Sequence, residues 1–147
     1  MKLQIIYETK STYNQKIAEA AASAFDIPVA DVDDKPVLEN VDILFIVGVG
    51  DWFDDNSNPQ LLSYIKNQKT GFVKRVALIT TCHTYDASQN FVRKLLTEKN
   101  VEIVGERVCL CRRFASQIGH PNKKDIERIL DFMKGILGVS KYESTNK

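Results

Sequence analysis

Runs of apolar residues alternate with amphipathic stretches along the 147 residues of the chain. Several of the runs are apolar at nearly every position, which is typical of strands covered on both faces. The stretches between them carry apolar residues three or four positions apart, as at Ile17, Ala20, Ala21 and Ala24, and this spacing predicts helices. The predicted strands are residues 3–7, 28–32, 43–49, 76–79 and 101–110, and the predicted helices are residues 14–25, 59–67, 88–100 and 123–137. Strands and helices in alternation predict an α/β fold with right-handed crossovers and an open parallel sheet.

The connection between the second and third predicted strands departs from this pattern. Residues 33–40 contain Pro36 and are too few for a confident helix, so we expect an irregular or very brief crossover. Residues 140–147 are polar and predict a frayed tail. The remaining residues, 1–139, have the length and apolar content of one domain with its own core.

Composition and charge narrow the classes of partner. The chain has 20 Lys and Arg residues against 19 Asp and Glu residues, so its net charge of +1 favours neither nucleic acid nor an acidic membrane. The N-terminal apolar stretch is too short for a signal peptide, and no other run is long enough to span a membrane, so we expect a cytoplasmic protein. The three cysteines form no C-x-x-C pair, and we expect reduced thiols that pack as small apolar side chains. Cys109 and Cys111 lie two apart on a predicted strand, where geometry disfavours a disulfide between them.

The loop after the first predicted strand carries candidate phosphate ligands. In an open parallel sheet, ligands bind beyond the carboxyl ends of the strands, where the strand order reverses. Residues 9–16 at this place read "TKSTYNQK". Their hydroxyl groups, their lysines and the free amides of a helix start are suited to a phosphate. The alternative is an ordinary helix start, with Thr12 or Asn14 as its cap.

The loop after the third predicted strand carries the lone tryptophan of the chain, in the sequence "VGVGDWFDDNSNP". Trp52 follows two glycines and can lie exposed as a stacking surface for a planar ligand, or it can be a packing or interface residue. The nearby carboxylates of Asp51, Asp54 and Asp55 match no calcium-loop spacing, so we predict no metal site.

The loop after the fourth predicted strand reads "TTCHTYDASQN". Tyr85 can stack on a planar ligand from the side opposite Trp52, and His83 can supply a donor that titrates near neutral pH or be an ordinary surface histidine. Ser88 is predicted to cap the next helix. Cys82 and His83 are sequence neighbours whose side chains diverge in extended chain, so we predict no catalytic residue.

Together these loops resemble those of the flavodoxin-like family. In flavodoxins the first loop reads S/T-x-T-G-N-T and wraps the phosphate of FMN, and the matching positions here are residues 10–15, "KSTYNQ". Thr12 and Asn14 match this motif, whereas Lys10, Tyr13 and Gln15 depart from it. Glycine at the position of Tyr13 allows a positive φ, and a tyrosine forced into that conformation would cost about 1 kcal/mol or more. Because backbone amides and hydroxyl groups make most of the phosphate contacts, we expect FMN binding to be retained.

Three further stretches carry the same resemblance. "GDWFD" looks like the G-x-W-x-D segment of short flavodoxin-like proteins, and "KRVALITTCHTY" is similar to their K-x-V-x-L-F-x-T-x-G-x-Y stretch, with His83 in place of a glycine. "GHPNKKDIERILDFMKGI" resembles the start of their last helix. The resemblance runs from Met1 to about Leu137, and each single motif is only moderately specific.

The resemblance implies a three-layer sandwich around a five-stranded parallel sheet of order 2-1-3-4-5. In that order the three loops meet at one end of the sheet, where a single FMN sits. The implied cofactor-binding residues are Thr9, Lys10, Ser11, Thr12, Tyr13, Asn14, Gln15, Gly50, Asp51, Trp52, Phe53, His83 and Tyr85.

The function that the resemblance implies is electron transfer by a bound FMN. Because the near-neutral charge steers a partner only weakly, we expect a dedicated redox partner, a reductase or a metalloenzyme, rather than many partners. Two alternatives stay open: a flavin-free partner subunit that keeps the fold, and a small NAD(P)H-dependent flavin or quinone reductase, against which the compact chain argues. The sequence leaves open the donor, the acceptor, the oligomeric state and the reactivity of Cys82.

Overall fold

The computed structural model describes residues 1–8, 12–51, 58–82, 88–110 and 123–145. In these residues it contains the strands β1 (Leu3–Tyr7), β2 (Val29–Asp31), β3 (Val41–Val49), β4 (Val73–Cys82) and β5 (Glu102–Leu110). The helices are α1 (Thr12–Phe25), α2 (Pro59–Lys66), α3 (Asn90–Glu98) and α4 (Lys123–Thr145). None of the helices in this part of the chain is both long enough and apolar enough to cross a membrane.

The strands form one sheet in the order β2-β1-β3-β4-β5, and every neighbouring pair is parallel. This confirms the predicted α/β class and the predicted order. The bounds of β1 also agree with the prediction. β4 is longer than predicted at both ends, since Val73, Lys74 and Arg75 extend its start and Thr80 to Cys82 its end. Polar residues at the ends of a buried strand hide those ends from a search for apolar runs.

Helices cover both faces of the sheet, as the family resemblance implied. On one face Ile5, Phe45 and Ile79 pack with Ile17 of α1 and Met133 of α4. A Cβ atom at Gly105 of β5 would lie 3.2 Å from both Phe132 and Ile136, so this glycine lets α4 approach the edge of the sheet.

The other face of the sheet packs against α2 and α3. Ile6, Leu44 and Leu78 lie there against Ile65 and Leu96, and all five are fully buried. Burial of each such side chain favours the folded state by about 1.5 to 3 kcal/mol. The two layers of apolar contact account for the strands that are apolar at nearly every position.

The structure tests two further predictions, one for the crossover between β2 and β3 and one for the polar C-terminal segment. The crossover between β2 and β3 is brief, as predicted: it is a single 3-10 turn, Val32–Asp34, that ends at Lys35 with a positive φ of 49°. α4 continues to Thr145, through most of the polar segment that was expected to fray. No proline follows Leu137, so nothing in this segment prevents the helical hydrogen bonds from continuing.

The short crossover leaves a cavity of about 780 Å³ between residues 32–39 and α2. At this cavity the Tyr64 hydroxyl donates a hydrogen bond to the Pro36 carbonyl, and burial raises the pKa of Tyr64 to about 12. Val37 beside it is 80% exposed. None of the predicted site residues lines this cavity, so it is separate from the loops that carry the candidate chemistry.

Candidate functional site

The three loops with candidate chemistry start from neighbouring strands. Residue Tyr7 of β1 pairs with Val47 of β3, and Val49 of β3 pairs with Thr81 of β4. The carboxyl ends of these strands therefore lie side by side, with β1 and β3 at the point where the strand order reverses. In open parallel sheets this is the place where ligands bind.

The structure describes part of the predicted site. Thr12, Tyr13, Asn14 and Gln15 form the first turn of α1, and Gly50 and Asp51 follow β3 directly. The other predicted residues lie outside the described residues: Thr9, Lys10, Ser11, Trp52, Phe53, His83 and Tyr85.

Asn14 joins α1 to the sheet. Its side chain is fully buried, its Nδ2 donates to the Glu8 carbonyl at 2.8 Å, and its Oδ1 accepts from the Thr81 hydroxyl at 2.7 Å. The alternative interpretation of this loop named Thr12 or Asn14 as the cap of α1, and that assignment is wrong, because both lie within the helix. A buried amide satisfied by two strands is a tertiary contact that helix-start statistics do not capture.

Tyr13 was expected to need the positive φ that a glycine allows at this position of the loop. It is the second residue of α1, half-buried, and it is not among the described residues with a positive φ. The prediction that a tyrosine here strains the backbone is therefore wrong, since a right-handed helical conformation is an allowed one for tyrosine.

Glu8 stabilises the start of α2 from the end of β1. Its backbone amide donates to the Val47 carbonyl at 3.0 Å, and its carboxylate, 2% exposed, accepts from the amide of Leu61 at 2.8 Å. Leu61 is the third residue of α2, so the carboxylate meets both a free amide and the positive end of the helix dipole.

Asn58 and Gln89 close over Gly48 of β3. The Asn58 side chain accepts from the Val49 amide at 2.9 Å and donates to the Val49 carbonyl at 2.6 Å, so it pairs with β3 as a strand would. Gln89 Nε2 donates to the Ile79 carbonyl at 3.2 Å. A Cβ atom at Gly48 would lie 2.4 Å from Gln89 Oε1, so the close approach of these two amides requires a glycine.

Gly50 and Asp51 are fixed through their backbone amides. The Gly50 amide donates to the Thr81 carbonyl at 2.7 Å, and the Asp51 amide donates to the Ser88 carbonyl at 2.8 Å. The Asp51 carboxylate accepts from the amide of Phe91, the second residue of α3, at 2.7 Å. Asp51 thus ties the loop after β3 to the start of α3.

Glu106 of β5 was not predicted as part of this region. Its carboxylate accepts from the hydroxyls of Thr80 and Ser88 at 2.5 and 2.6 Å, from the amide of Gln89 at 3.2 Å and from the guanidinium of Arg93 at 2.6 Å. Burial alone would raise the pKa of Glu106, but these four bonds outweigh it and hold the pKa below its ordinary value. The prediction that Ser88 caps α3 is wrong, because its hydroxyl donates to Glu106 instead. The sequence signal that could have indicated this role is a glutamate within a mostly apolar strand.

Two of the three cysteines fall in the described residues. Cys82 and Cys109 are 6% and 5% exposed, and neither forms a disulfide, which confirms their prediction as small buried side chains. Cys111 lies outside that part of the chain. Among the residues described, no cluster of side chains is suited to a metal ion.

Comparison with solved structures identifies the fold. A candidate flavoprotein from Bacteroides uniformis ATCC 8492 superposes with a TM-score of 0.60 at 12% sequence identity, over 90% of this chain and 97% of its own. A candidate flavoprotein from Bacteroides eggerthii DSM 20697 gives 0.55 at 14% identity, over 89% and 96%. The chain has the flavodoxin-like fold.

Other comparisons add less. A flavodoxin from the domain Archaea is similar at a TM-score of 0.48 and 13% identity, over 91% of this chain and 99% of its own, which is too weak a likeness to support any conclusion. No family model matches the chain, and no curated protein matches it. Identities this low establish a shared fold and leave the ligand to be argued from the site.

Within the flavodoxin-like fold, the electrostatics of the described residues suit an anion at the start of α1. The carboxylates of Glu8 and Asp51 accept hydrogen bonds from the first turns of α2 and α3. The first turn of α1 contains no acidic residue. The amides and the dipole of a helix start attract a phosphate, and the nearby negative charges of Glu8 and Asp51 are partly compensated by the two neighbouring helices.

Proposed function

We propose that the protein is an FMN-binding electron carrier that serves a dedicated redox partner. The observation that carries the proposal is the layer of buried, hydrogen-bonded polar side chains at the carboxyl ends of β1, β3 and β4. Its members are Glu8, Asn14, Asp51, Asn58, Thr80, Thr81 and Gln89. Burial of so many polar groups at one edge costs free energy unless they are hydrogen-bonded in a fixed arrangement. A ligand site at the switch point of the sheet needs such a fixed arrangement.

The phosphate of FMN would lie at the start of α1. Thr12 is exposed there, and the loop with Thr9, Lys10 and Ser11 precedes it. The helical backbone of Tyr13 removes the main objection to this arrangement, since the residue needs no positive φ. Hydroxyl groups and helix amides then provide the contacts that bind a phosphate.

The flavin ring would lie beyond Gly50 and Asp51, with Trp52 and Tyr85 as its stacking surfaces and Phe53 and His83 beside it. Gly50 and Asp51 are held by backbone hydrogen bonds to Thr81 and Ser88, which gives the loop after β3 a fixed origin. When bound, FMN supplies one- and two-electron redox chemistry, and the protein supplies orientation and electrostatics.

The partner is proposed to be a single reductase or metalloenzyme. With a net charge of +1, the chain has little long-range attraction for a charged partner, so selectivity would come from the fit of the contact surface. This part of the proposal depends on charge alone and is separate from FMN binding.

A flavin-free partner subunit is the second candidate function. Gln15 favours it, because its exposed side chain donates to Glu19 at 3.0 Å along the outside of α1. The threonine hydroxyl found there in flavodoxins has thus been exchanged for a group that is engaged in a helix-surface contact.

The deciding experiment is a titration of the purified apo-protein with FMN and, separately, with riboflavin, followed by quenching of flavin fluorescence. Saturable FMN binding at micromolar or tighter affinity, and clearly weaker riboflavin binding, would support a phosphate contact at α1. Absence of FMN binding by a protein with native circular dichroism would instead favour the flavin-free subunit. Consumption of NAD(P)H by the FMN-loaded protein without a partner would point to the reductase alternative.

A further inference from the structure

Four hydrogen bonds and a stretch of helix backbone form a closed ring next to the proposed flavin site. Glu106 accepts from the Ser88 hydroxyl at 2.6 Å, the Ser88 carbonyl accepts from the Asp51 amide at 2.8 Å, and the Asp51 carboxylate accepts from the Phe91 amide at 2.7 Å. Phe91 and Arg93 belong to the same helix, where Arg93 also donates to the Gln89 carbonyl at 2.9 Å through its backbone amide. The Arg93 guanidinium donates to Glu106 at 2.6 Å and closes the ring. We call Glu106, Ser88, Asp51, Phe91 and Arg93 the Glu106 ring.

The Glu106 ring joins four parts of the fold that are distant in sequence. They are β5, the residues before α3, the end of β3 and α3 itself. Glu106 is the member with the most bonds, since its carboxylate also accepts from Thr80 and Gln89. Charge-assisted hydrogen bonds in a partly buried network strengthen one another, so a change at Glu106 is transmitted around the ring.

The ring ends at the residues proposed to contact the flavin. Asp51 belongs to the ring through both its backbone amide and its carboxylate, and the amide of Gly50 before it is bonded to β4. Without the Ser88 carbonyl in its place, the peptide between Gly50 and Asp51 would lose the hydrogen bond that its N–H donates.

We infer that Glu106 is a positioning residue that sets the location of the Gly50–Asp51 peptide and, through it, the affinity for the flavin ring. This inference rests on the proposed function, because it deepens the account of the same site. Glu106 touches neither ring nor phosphate in this scheme and acts through Ser88. A small misplacement of groups that hold a ligand is enough to weaken binding strongly.

The test compares two carboxylate-to-amide variants, one in the Glu106 ring and one at the amino end of the sheet. Glu106→Gln replaces a carboxylate that accepts four hydrogen bonds with an amide. The amide nitrogen would face hydrogen-bond donors and cannot accept from them. Asp42→Asn is the matched control, since Asp42 lies at the start of β3, accepts from the Lys2 amide at 2.6 Å and pairs with Lys74 at 3.0 Å. Ser88→Ala is a milder change that removes one hydroxyl and keeps the carbonyl that holds Asp51.

The first readout needs no flavin. Hydrogen exchange of the apo-protein, followed by NMR, reports the protection of the Gly50 and Asp51 amides relative to core amides of β3. Glu106→Gln and Ser88→Ala should both lower the protection of Asp51, the former more, while Asp42→Asn leaves it unchanged. Unchanged protection in Glu106→Gln and Ser88→Ala would overturn the inference, even if the wild-type protein binds no FMN and the proposed function fails.

The second readout is the dissociation constant at a temperature where every variant is folded. Glu106→Gln should weaken FMN and riboflavin by the same factor, about tenfold, because the defect lies at the ring end of the site. Ser88→Ala should weaken both about threefold, and Asp42→Asn neither. A residue that only stabilises the fold would lower the melting temperature and leave both dissociation constants unchanged, and that result would reject the positioning role while the proposed function stands. Loss of FMN affinity without loss of riboflavin affinity would reject it as well.

Discussion

The two ends of the sheet are built differently. At the amino end the described polar side chains meet at the surface: Asp42 accepts from Lys2 and from Lys74, whose side chain is 72% exposed. At the carboxyl end polar side chains are buried with their partners, and every buried Asp, Glu, Asn, Gln and Thr side chain of the described residues lies there. Between the ends the core is apolar. The fold itself does not need buried polar groups, as the amino end shows, so their concentration at the other end reflects a demand for shape.

The buried layer does two things at once. It fixes where the loops after β1, β3 and β4 begin, through Asn14, Asn58 and Asp51. It also places the carboxylates of Glu8 and Asp51 on helix amides, where their charge is offset.

Asn14 and Gln15 are neighbours in α1, and their replacement should have the most different effects on the free energy of unfolding. Asn14→Ala removes two buried hydrogen bonds and leaves the Glu8 carbonyl and the Thr81 hydroxyl without them, so the free energy of unfolding should fall by about 2 to 4 kcal/mol. Gln15→Ala, at an exposed position, should change it by no more than about 0.5 kcal/mol. Urea unfolding of both variants measures the difference. Equal effects would mean that the buried layer contributes nothing beyond a surface contact.

Two glycines test the close packing of the buried layer. Gly48→Ala places a Cβ atom against Gln89 and Asn58, and it should destabilise the protein by about 1 to 3 kcal/mol through displacement of those amides. Gly135→Ala in α4 is the control, because a Cβ atom there meets nothing within 4 Å. It should stabilise the protein by about 0.5 to 1 kcal/mol through the better helix propensity of alanine. Thermal unfolding of both variants gives the two signs, and a stable Gly48→Ala protein would show that Gln89 moves freely.

Acid should reduce the stability contribution of the Glu106 carboxylate more than that of the more exposed Asp42 carboxylate. The pKa values of both Glu106 and Asp42 are lowered by hydrogen bonds in the folded protein. A lowered folded pKa adds stability above the unfolded value, about 4.3 for glutamate, and this stability is lost as the pH falls through the folded value. Urea unfolding between about pH 6 and pH 3 should show a shallower loss of stability in Glu106→Gln than in the wild type. Glu106 accepts hydrogen bonds from four donors and Asp42 from two, so Asp42→Asn should flatten the profile less. A larger flattening in Asp42→Asn would contradict this order.

The same contrast explains what was predictable from sequence. The apolar runs gave β1 at its observed bounds, because such a run is a local pattern. The order of the strands followed from the family resemblance, which rests on short sequence motifs. The roles of Asn14 and Ser88 were mistaken for helix caps, since each was judged against its sequence neighbours while its partner lies far along the chain, at Thr81 and at Glu106. Nothing in the sequence joins residue 106 to residues 51 and 88. Such links are tertiary, and only the folded sheet brings their atoms within hydrogen-bonding distance.

The smallest expected difference lies between the two ion pairs. Arg93 and Glu106 are 2.6 Å apart with side chains 41% and 13% exposed, whereas Lys74 and Asp42 are 3.0 Å apart with side chains 72% and 27% exposed. Lys74→Ala should change the free energy of unfolding by no more than about 0.5 kcal/mol, because an exposed pair is screened by water and salt. Arg93→Ala should cost about 1 kcal/mol, since it removes one donor from a carboxylate that keeps three others and is less open to solvent. Unfolding in low and high salt distinguishes the pairs further: the effect of Lys74→Ala should vanish at about 1 M salt and that of Arg93→Ala should persist. If both effects vanish together, the carboxyl end is as open to solvent as the amino end, and the contrast between the two ends fails at the position where it is weakest.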